Sequence, residues 1–76
     1  MEKESEEFKI RPYLKSDLAQ LYLPYLSAEA ALRKMQKWIR NNPAFHTELY
    51  SGMEGKNEQA FSKRQVEVVV KYLDPP

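Results

Sequence analysis

The sequence predicts an all-α domain, a small bundle of about four helices with an extended segment on its N-terminal side. Apolar residues recur with the helical period in four stretches between residues 17 and 73. A Ser or Asn that can cap a helix precedes each stretch. With 76 residues and no cysteine, the chain has room for one core, which neither a disulfide nor a thiolate zinc site can reinforce.

The N-terminal residues divide into an acidic part and an extended part. Residues 1–7 contain one Lys, four Glu and no apolar residue after the first methionine, so we expect a disordered acidic arm with nothing to bury. Residues 8–76 are predicted to form a single helical domain. At its start Phe8 and Ile10 alternate with charged residues, and Pro12 favours an extended backbone before it.

The first helix is predicted to be short. Ser16 can cap a helix that begins at Asp17, whose charge suits the positive end of the helix dipole. Leu18, Leu21 and Tyr22 share one apolar face, and Pro24 ends the element because proline disfavours helix at the residue before it.

The second helix is predicted to run from residue 28 to residue 41, after a cap at Ser27. Its core-facing stripe keeps the 3.6-residue period through Ala31, Leu32, Met35, Trp38 and Ile39. The remaining surface carries four basic residues: Arg33, Lys34, Lys37 and Arg40. Residues 8–41 have a net charge of +5, so this helix belongs to a basic half of an otherwise nearly neutral chain.

A third helix is predicted after Asn42, because Asn as cap and Pro43 at the first helical position form a typical helix start. Gly52 is expected to end it. Residues 51–60 contain both glycines of the chain and one large apolar residue, so they are predicted to form a mobile loop.

The fourth helix has the clearest start. Ser62 and Gln65 form a capping box, with Phe61 and Val66 placed to pack across it as a hydrophobic staple. Apolar residues then follow the helical period: Val66, Val69, Val70 and Leu73. A run of valines favours a strand intrinsically, but the cap and the period together predict a helix.

Residues 17–41 fit a helix-turn-helix, in which one helix supports a second that lies in the major groove of DNA. Arg33, Lys34, Lys37 and Arg40 would then neutralise phosphates of double-stranded DNA, and the protein would be a DNA-binding accessory or regulatory protein. The competing interpretation is an ordinary solvated helix face, since exposed faces generally carry Lys and Arg. The turn LPYLS is also longer than the common turn of about three to four residues and lacks Gly.

The alternative function is a small protein–protein interaction module or homodimer without a nucleic-acid role. Nine aromatic residues occur in the chain, and patterning assigns Trp38, Phe45 and Phe61 to the core. The placement of four tyrosines stays open: Tyr13, Tyr25, Tyr50 and Tyr72. In such a complex, the small core of the domain would be completed at the interface with the partner. The contributing residues would be Tyr13, Tyr22 or Tyr25, together with the Val-rich fourth helix.

The composition argues against an enzyme, a cofactor, a metal site and a small-molecule substrate. His46 is the single histidine and has no legible partner for general-base chemistry or for zinc, so we expect it on the surface. Two glycines cannot build a phosphate-binding loop. The charged N-terminal residues do not resemble a signal peptide and no apolar run is long enough for a membrane span, so we expect a cytoplasmic protein without membrane contact.

The chain resembles a known family from Phe8 to Leu73, and the resemblance is most specific in three stretches: KSDLAQLY, LRKMQKWIR and FSKRQV. In them the chain resembles a family of short, uncharacterised Bacteroidetes proteins classed as a domain of unknown function, which implies kinship but no activity. Over a shorter part, LKSDLAQLY leading to RKMQKWIRNNP, it is also similar to winged-helix and excisionase-type DNA-binding domains. That similarity implies DNA binding by the second helix, although no wing hairpin is recognisable.

Overall fold

The computed structural model describes residues 8–54 and 58–76. Four helices and two short strands follow one another in the order β1 (Tyr13–Leu14), α1 (Lys15–Tyr22), α2 (Ala28–Arg40), α3 (Pro43–Leu49), β2 (Ala60–Phe61) and α4 (Lys63–Leu73). The prediction of a mostly helical domain with four helices is therefore confirmed. The predicted acidic arm, residues 1–7, and the middle of the predicted mobile loop, residues 55–57, lie outside the described residues.

A two-stranded antiparallel sheet joins the beginning of the domain to the start of α4. Tyr13 pairs with Phe61 and Leu14 pairs with Ala60. The sequence predicts an extended segment before the first helix but no partner strand for it. It also predicts Ala60 in a loop, and the structure corrects this, because the backbone after that loop returns to pair with β1.

The first helix begins two residues earlier than predicted. Leu14 occupies the N-cap position without a side-chain hydrogen bond, and Ser16 lies inside the first turn instead of capping it. The reason is the strand before it: the amide of Lys15 donates a hydrogen bond of 2.9 Å to the carbonyl of Gln59, so the chain passes directly from β1 into α1. A partner from another part of the chain has replaced the local cap.

The caps of the other three helices are confirmed. The side chains of Ser27 and Asn42 accept hydrogen bonds from backbone amides three residues later, and Ser62 with Gln65 forms the predicted capping box. The valine-rich run is helical. The third helix ends at Leu49, three residues before the predicted Gly52, and the carbonyl of Leu49 accepts hydrogen bonds from two side chains of α4, those of Arg64 and Gln65.

The core lies between the four helices and the sheet. Its largest fully buried side chains come from all of the elements except β1: Leu18, Met35, Phe45, Leu49, Phe61, Gln65, Val66 and Val69. Trp38, predicted to point inward, is half-buried at the edge of this core. The described part of the chain contains no helix that is both long and apolar enough to cross a membrane.

Candidate nucleic-acid interface

Helix α2 presents its basic residues on the side opposite the core. Its buried residues, Ala31, Met35 and Ile39, share one face. We call the four cations on its remaining surface the basic face: Arg33, Lys34, Lys37 and Arg40. All four are exposed. A helical period of 3.6 residues brings the first, third and fourth of them into one stripe about 10 Å long, with Lys34 beside it.

The charges of the basic face are not neutralised by described residues. The ion pairs among those residues, Arg64 with Glu54 at 3.0 Å and Lys71 with Glu48 at 2.9 Å, both involve α4. No side chain of the basic face forms an ion pair or hydrogen bond within the described ranges 8–54 and 58–76. Four cations without a described ion pair on two turns of one helix, with Glu29 one turn before Arg33 as the nearest acidic residue of α2, favour contact with a polyanion.

The first two helices pack against each other more extensively than any other pair of helices. The turn between them is fastened by Gln20, whose side-chain amide donates a hydrogen bond of 2.9 Å to the carbonyl of Leu26. Such packing is common to many helical domains, so the helix-turn-helix interpretation stays a prediction. The two strands are separated by three helices in the chain, and they do not form the hairpin of a wing.

A small cavity lies at the C-terminal end of the basic face, where α2 meets α3. It is lined by Gln36, Ile39, Arg40, His46 and Tyr50 and has a volume of about 230 Å³. His46, predicted to be a surface residue, is half-buried there, with its ring centroid 5.1 Å from that of Tyr50. The sequence does not indicate this cavity, because its residues come from two helices whose mutual placement no local pattern specifies.

The tyrosines considered for a protein interface have different surroundings. Tyr13 and Tyr22 are half-buried and donate hydrogen bonds to the backbone carbonyls of Lys9 and Asp74. Burial raises the pKa of Tyr22 to about 12, with a further contribution from the nearby negative charge of Asp74. Tyr25 is 74% exposed in the turn before α2.

The valines of α4 are largely used inside the domain. Val66, Val68 and Val69 are buried, and Val70 is half-buried against the same core. The valine-rich helix therefore needs no partner to cover these side chains. Within the described ranges, no group of three or more His, Asp or Glu residues could hold a metal ion.

Comparison with known proteins identifies the chain's relatives without assigning an activity. The chain matches the family described as "Domain of unknown function (DUF4248)" over residues 9–76, and it belongs to this family. No curated protein and no solved structure matches it. The resemblance to a family of unknown function is thus confirmed, while the origin of that family in Bacteroidetes and the similarity to winged-helix domains stay predictions.

Proposed function

We propose that this member of the DUF4248 family binds nucleic acid through the basic face of α2, as a non-catalytic accessory or regulatory protein of the cytoplasm, with double-stranded DNA as the expected ligand. The observation that carries the proposal is the set of four exposed cations without a described partner on one helix. Arg64 and Lys71, by contrast, are each paired with a carboxylate. The unpaired charge on α2 supports an external anion as the partner of the basic face.

The arrangement of the helix supports this proposal. Its core face is anchored by Ala31, Met35 and Ile39, so the opposite face is held on a rigid element of 13 residues. A helix of this length is about 20 Å long and fits the major groove, which is about 12 Å wide. Phosphate contacts from such a face position a protein on the duplex without reading its sequence.

The test is fluorescence anisotropy of a labelled duplex titrated with the full chain at about 50 mM and about 200 mM salt. If all four cations meet phosphates, log K falls with log salt with a slope of about −3.6, so affinity drops about a hundredfold over this range. The double variant Arg33→Gln/Lys37→Gln removes two of the contacts and is expected to flatten the slope by about two units. An interaction that is insensitive to salt, or no binding at the lower salt concentration, would overturn the proposal.

A second candidate, self-association, is favoured by one observation at the end of α1. Leu21, which the sequence assigns to the apolar face of α1, is instead 46% exposed, and Tyr25, four residues later, is 74% exposed. A second copy of the chain that covers this patch would bury both side chains. Sedimentation of the full chain into the millimolar range tests it. A mass of 9.0 kDa throughout would exclude a homodimer, whereas a larger mass that returns to 9.0 kDa in Tyr25→Ser would support one.

A further inference from the structure

The cavity between α2 and α3 differs from three other surface cavities of the domain in the charge of the residues that line it. Three other surface cavities each contain a carboxylate, from Asp17 in one, from Glu29 and Glu58 in the second, and from Glu54 and Glu58 in the third. The lining of the α2–α3 cavity, by contrast, contains a guanidinium, an imidazole and a primary amide, and it has no carboxylate. Among these four cavities it is the one whose lining favours an anion.

Three side chains that line the α2–α3 cavity have hydrogen-bonding groups that can bind a ligand. No described residue receives a hydrogen bond from the side chains of Gln36, Arg40 or His46, although all three line the same space of about 230 Å³. The amide and the guanidinium come from successive turns of α2, and the imidazole comes from α3. The packing of the two helices fixes the backbone positions from which these groups extend, so a ligand between them needs only the side chains to be ordered.

The fourth polar residue of the cavity adds no negative charge at neutral pH. Burial raises the pKa of the Tyr50 phenol, so it stays protonated. The ammonium of Lys15 lies 5.8 Å from the centroid of the Tyr50 ring. Lys15 itself lines the cavity that contains Glu29 and Glu58, so the positive charge of the α2–α3 cavity comes from Arg40.

We propose that the α2–α3 cavity is a phosphate subsite, in which Arg40, His46 and Gln36 hold one phosphate group of a nucleic acid that lies along the basic face. The inference rests on the proposed function for the identity of the ligand. Arg40 belongs to both surfaces, and it therefore connects the phosphates bound along α2 to the one held in the cavity. A guanidinium can bind two phosphate oxygens at once, and the imidazole and the amide line the same cavity and can bind the remaining oxygens. The cavity has room for several water molecules, and hence for a phosphate group.

Two variants test the subsite without removing Arg40, which the basic face shares. Gln36→Leu changes an exposed position of α2, and His46→Gln keeps a polar side chain of similar length at a half-buried one. Thr47→Ala is the matched control, because Thr47 is exposed on the same helix as His46 and does not line the cavity. Circular dichroism on all three variants identifies any that fails to fold, and the inference is tested on those that do.

The first readout is a proton–nitrogen NMR titration of the full chain with inorganic phosphate. We expect millimolar phosphate to shift the resonances of His46 and Tyr50 in the wild-type chain and in Thr47→Ala, and to shift them much less in Gln36→Leu. The second readout is the affinity for an oligonucleotide, which we expect each cavity variant to weaken about tenfold, the equivalent of about 1.4 kcal/mol. Comparing oligonucleotides with a 5′-phosphate and a 5′-hydroxyl distinguishes a terminal phosphate from one within the strand.

The outcomes separate the subsite from the proposed function. Salt-dependent nucleic-acid binding at wild-type affinity in both cavity variants, with no phosphate-induced shifts at His46 or Tyr50, would overturn the subsite and leave the function standing. Phosphate-induced shifts in the cavity of a chain that binds no nucleic acid would support the subsite and overturn the function. Shifts confined to Lys34 and Lys37 would place the anion on the open helix surface and so contradict the subsite.

Discussion

The side-chain amide of Gln65 donates a hydrogen bond of 3.1 Å to the backbone carbonyl of Leu49. The same side chain accepts a hydrogen bond of 3.0 Å from the amide of Ser62, which closes the capping box of α4. Gln65 is 1% exposed, so both bonds are shielded from water. One residue thereby completes the start of α4 and the end of α3.

We expect Gln65→Ala to lower the free energy of unfolding by about 2 to 3 kcal/mol, because it removes half of a capping box and takes a hydrogen bond from the buried end of α3. Urea unfolding followed by circular dichroism measures the change. Lys63→Ala is the control, since Lys63 is exposed in the same first turn and its substitution should alter the free energy by less than about 0.5 kcal/mol. Equal effects of the two substitutions would contradict this assignment.

A single charge removed from the basic face should change the salt dependence of nucleic-acid binding by a defined amount. Lys37 is exposed in the last turns of α2, and Lys37→Gln is expected to flatten the slope of log K on log salt by about one unit. Lys63→Gln removes one positive charge from a different helix and should leave the slope unchanged. The measurement is anisotropy at four or more salt concentrations. If both variants reduced the slope equally, the net charge of the chain would account for binding better than the basic face does.

The stability of the domain should depend on Glu54 in acid. Hydrogen bonds from Arg64 and Ser62 lower the pKa of Glu54 to about 2. Because this folded-state pKa lies below the unfolded value of about 4.3, the contribution of the carboxylate is complete above that value and is lost as the pH falls toward 2. We expect Glu54→Gln to have a lower Tm than the wild type at pH 7 and the same Tm near pH 2.

Thermal melts from pH 7 to pH 2 test this expectation. Glu67→Gln is the matched control, because Glu67 is exposed on α4 and has no described ion-pair partner. A difference in Tm between wild type and Glu54→Gln that stayed constant from pH 5 to pH 2 would show that the carboxylate is not held by Arg64.

The contribution of Tyr22 to stability should be lost at high pH, whereas that of Glu54 is lost at low pH. Its hydroxyl donates a hydrogen bond of 2.5 Å to the carbonyl of Asp74, and burial raises its pKa to about 12. The folded-state pKa exceeds the unfolded value of about 10, so the contribution of Tyr22 to stability is complete below pH 10 and is lost as the pH rises toward 12. The Tm advantage of the wild type over Tyr22→Phe should therefore shrink between pH 10 and pH 12. Tyr25→Phe, at an exposed position, should show no such advantage at any pH.

Features with a local physical cause were predictable from the sequence. The caps at Ser27, Asn42 and Ser62 act on amides three residues away, and a helical period needs only neighbouring turns. The basic face follows from the same period, so its four residues could be named in advance. Their exposure agrees with that prediction, although a period alone does not say whether an anion binds there.

Features that join distant parts of the chain were not predictable. The start of α1 depends on a hydrogen bond from Lys15 to Gln59, and the end of α3 depends on Arg64 and Gln65. Gly52 illustrates the difference. The sequence predicts that it ends a helix, but in the structure a side chain at that position would collide with the carboxylate of Glu54 and approach Nε of Arg64 to 2.8 Å. Glycine here leaves room for the ion pair.

The pairing of β1 with β2 has a consequence for the order in which the domain assembles. Most backbone hydrogen bonds of α1, α2 and α3 join neighbouring turns, whereas Tyr13 and Phe61 lie on either side of these three helices in the chain, so their pairing closes a long loop. We therefore expect this strand pair to form late during folding and its two strands to separate early when the domain opens locally. Hydrogen exchange should be faster at the amides of β1 than in the middle of α2, even though both belong to the same folded unit.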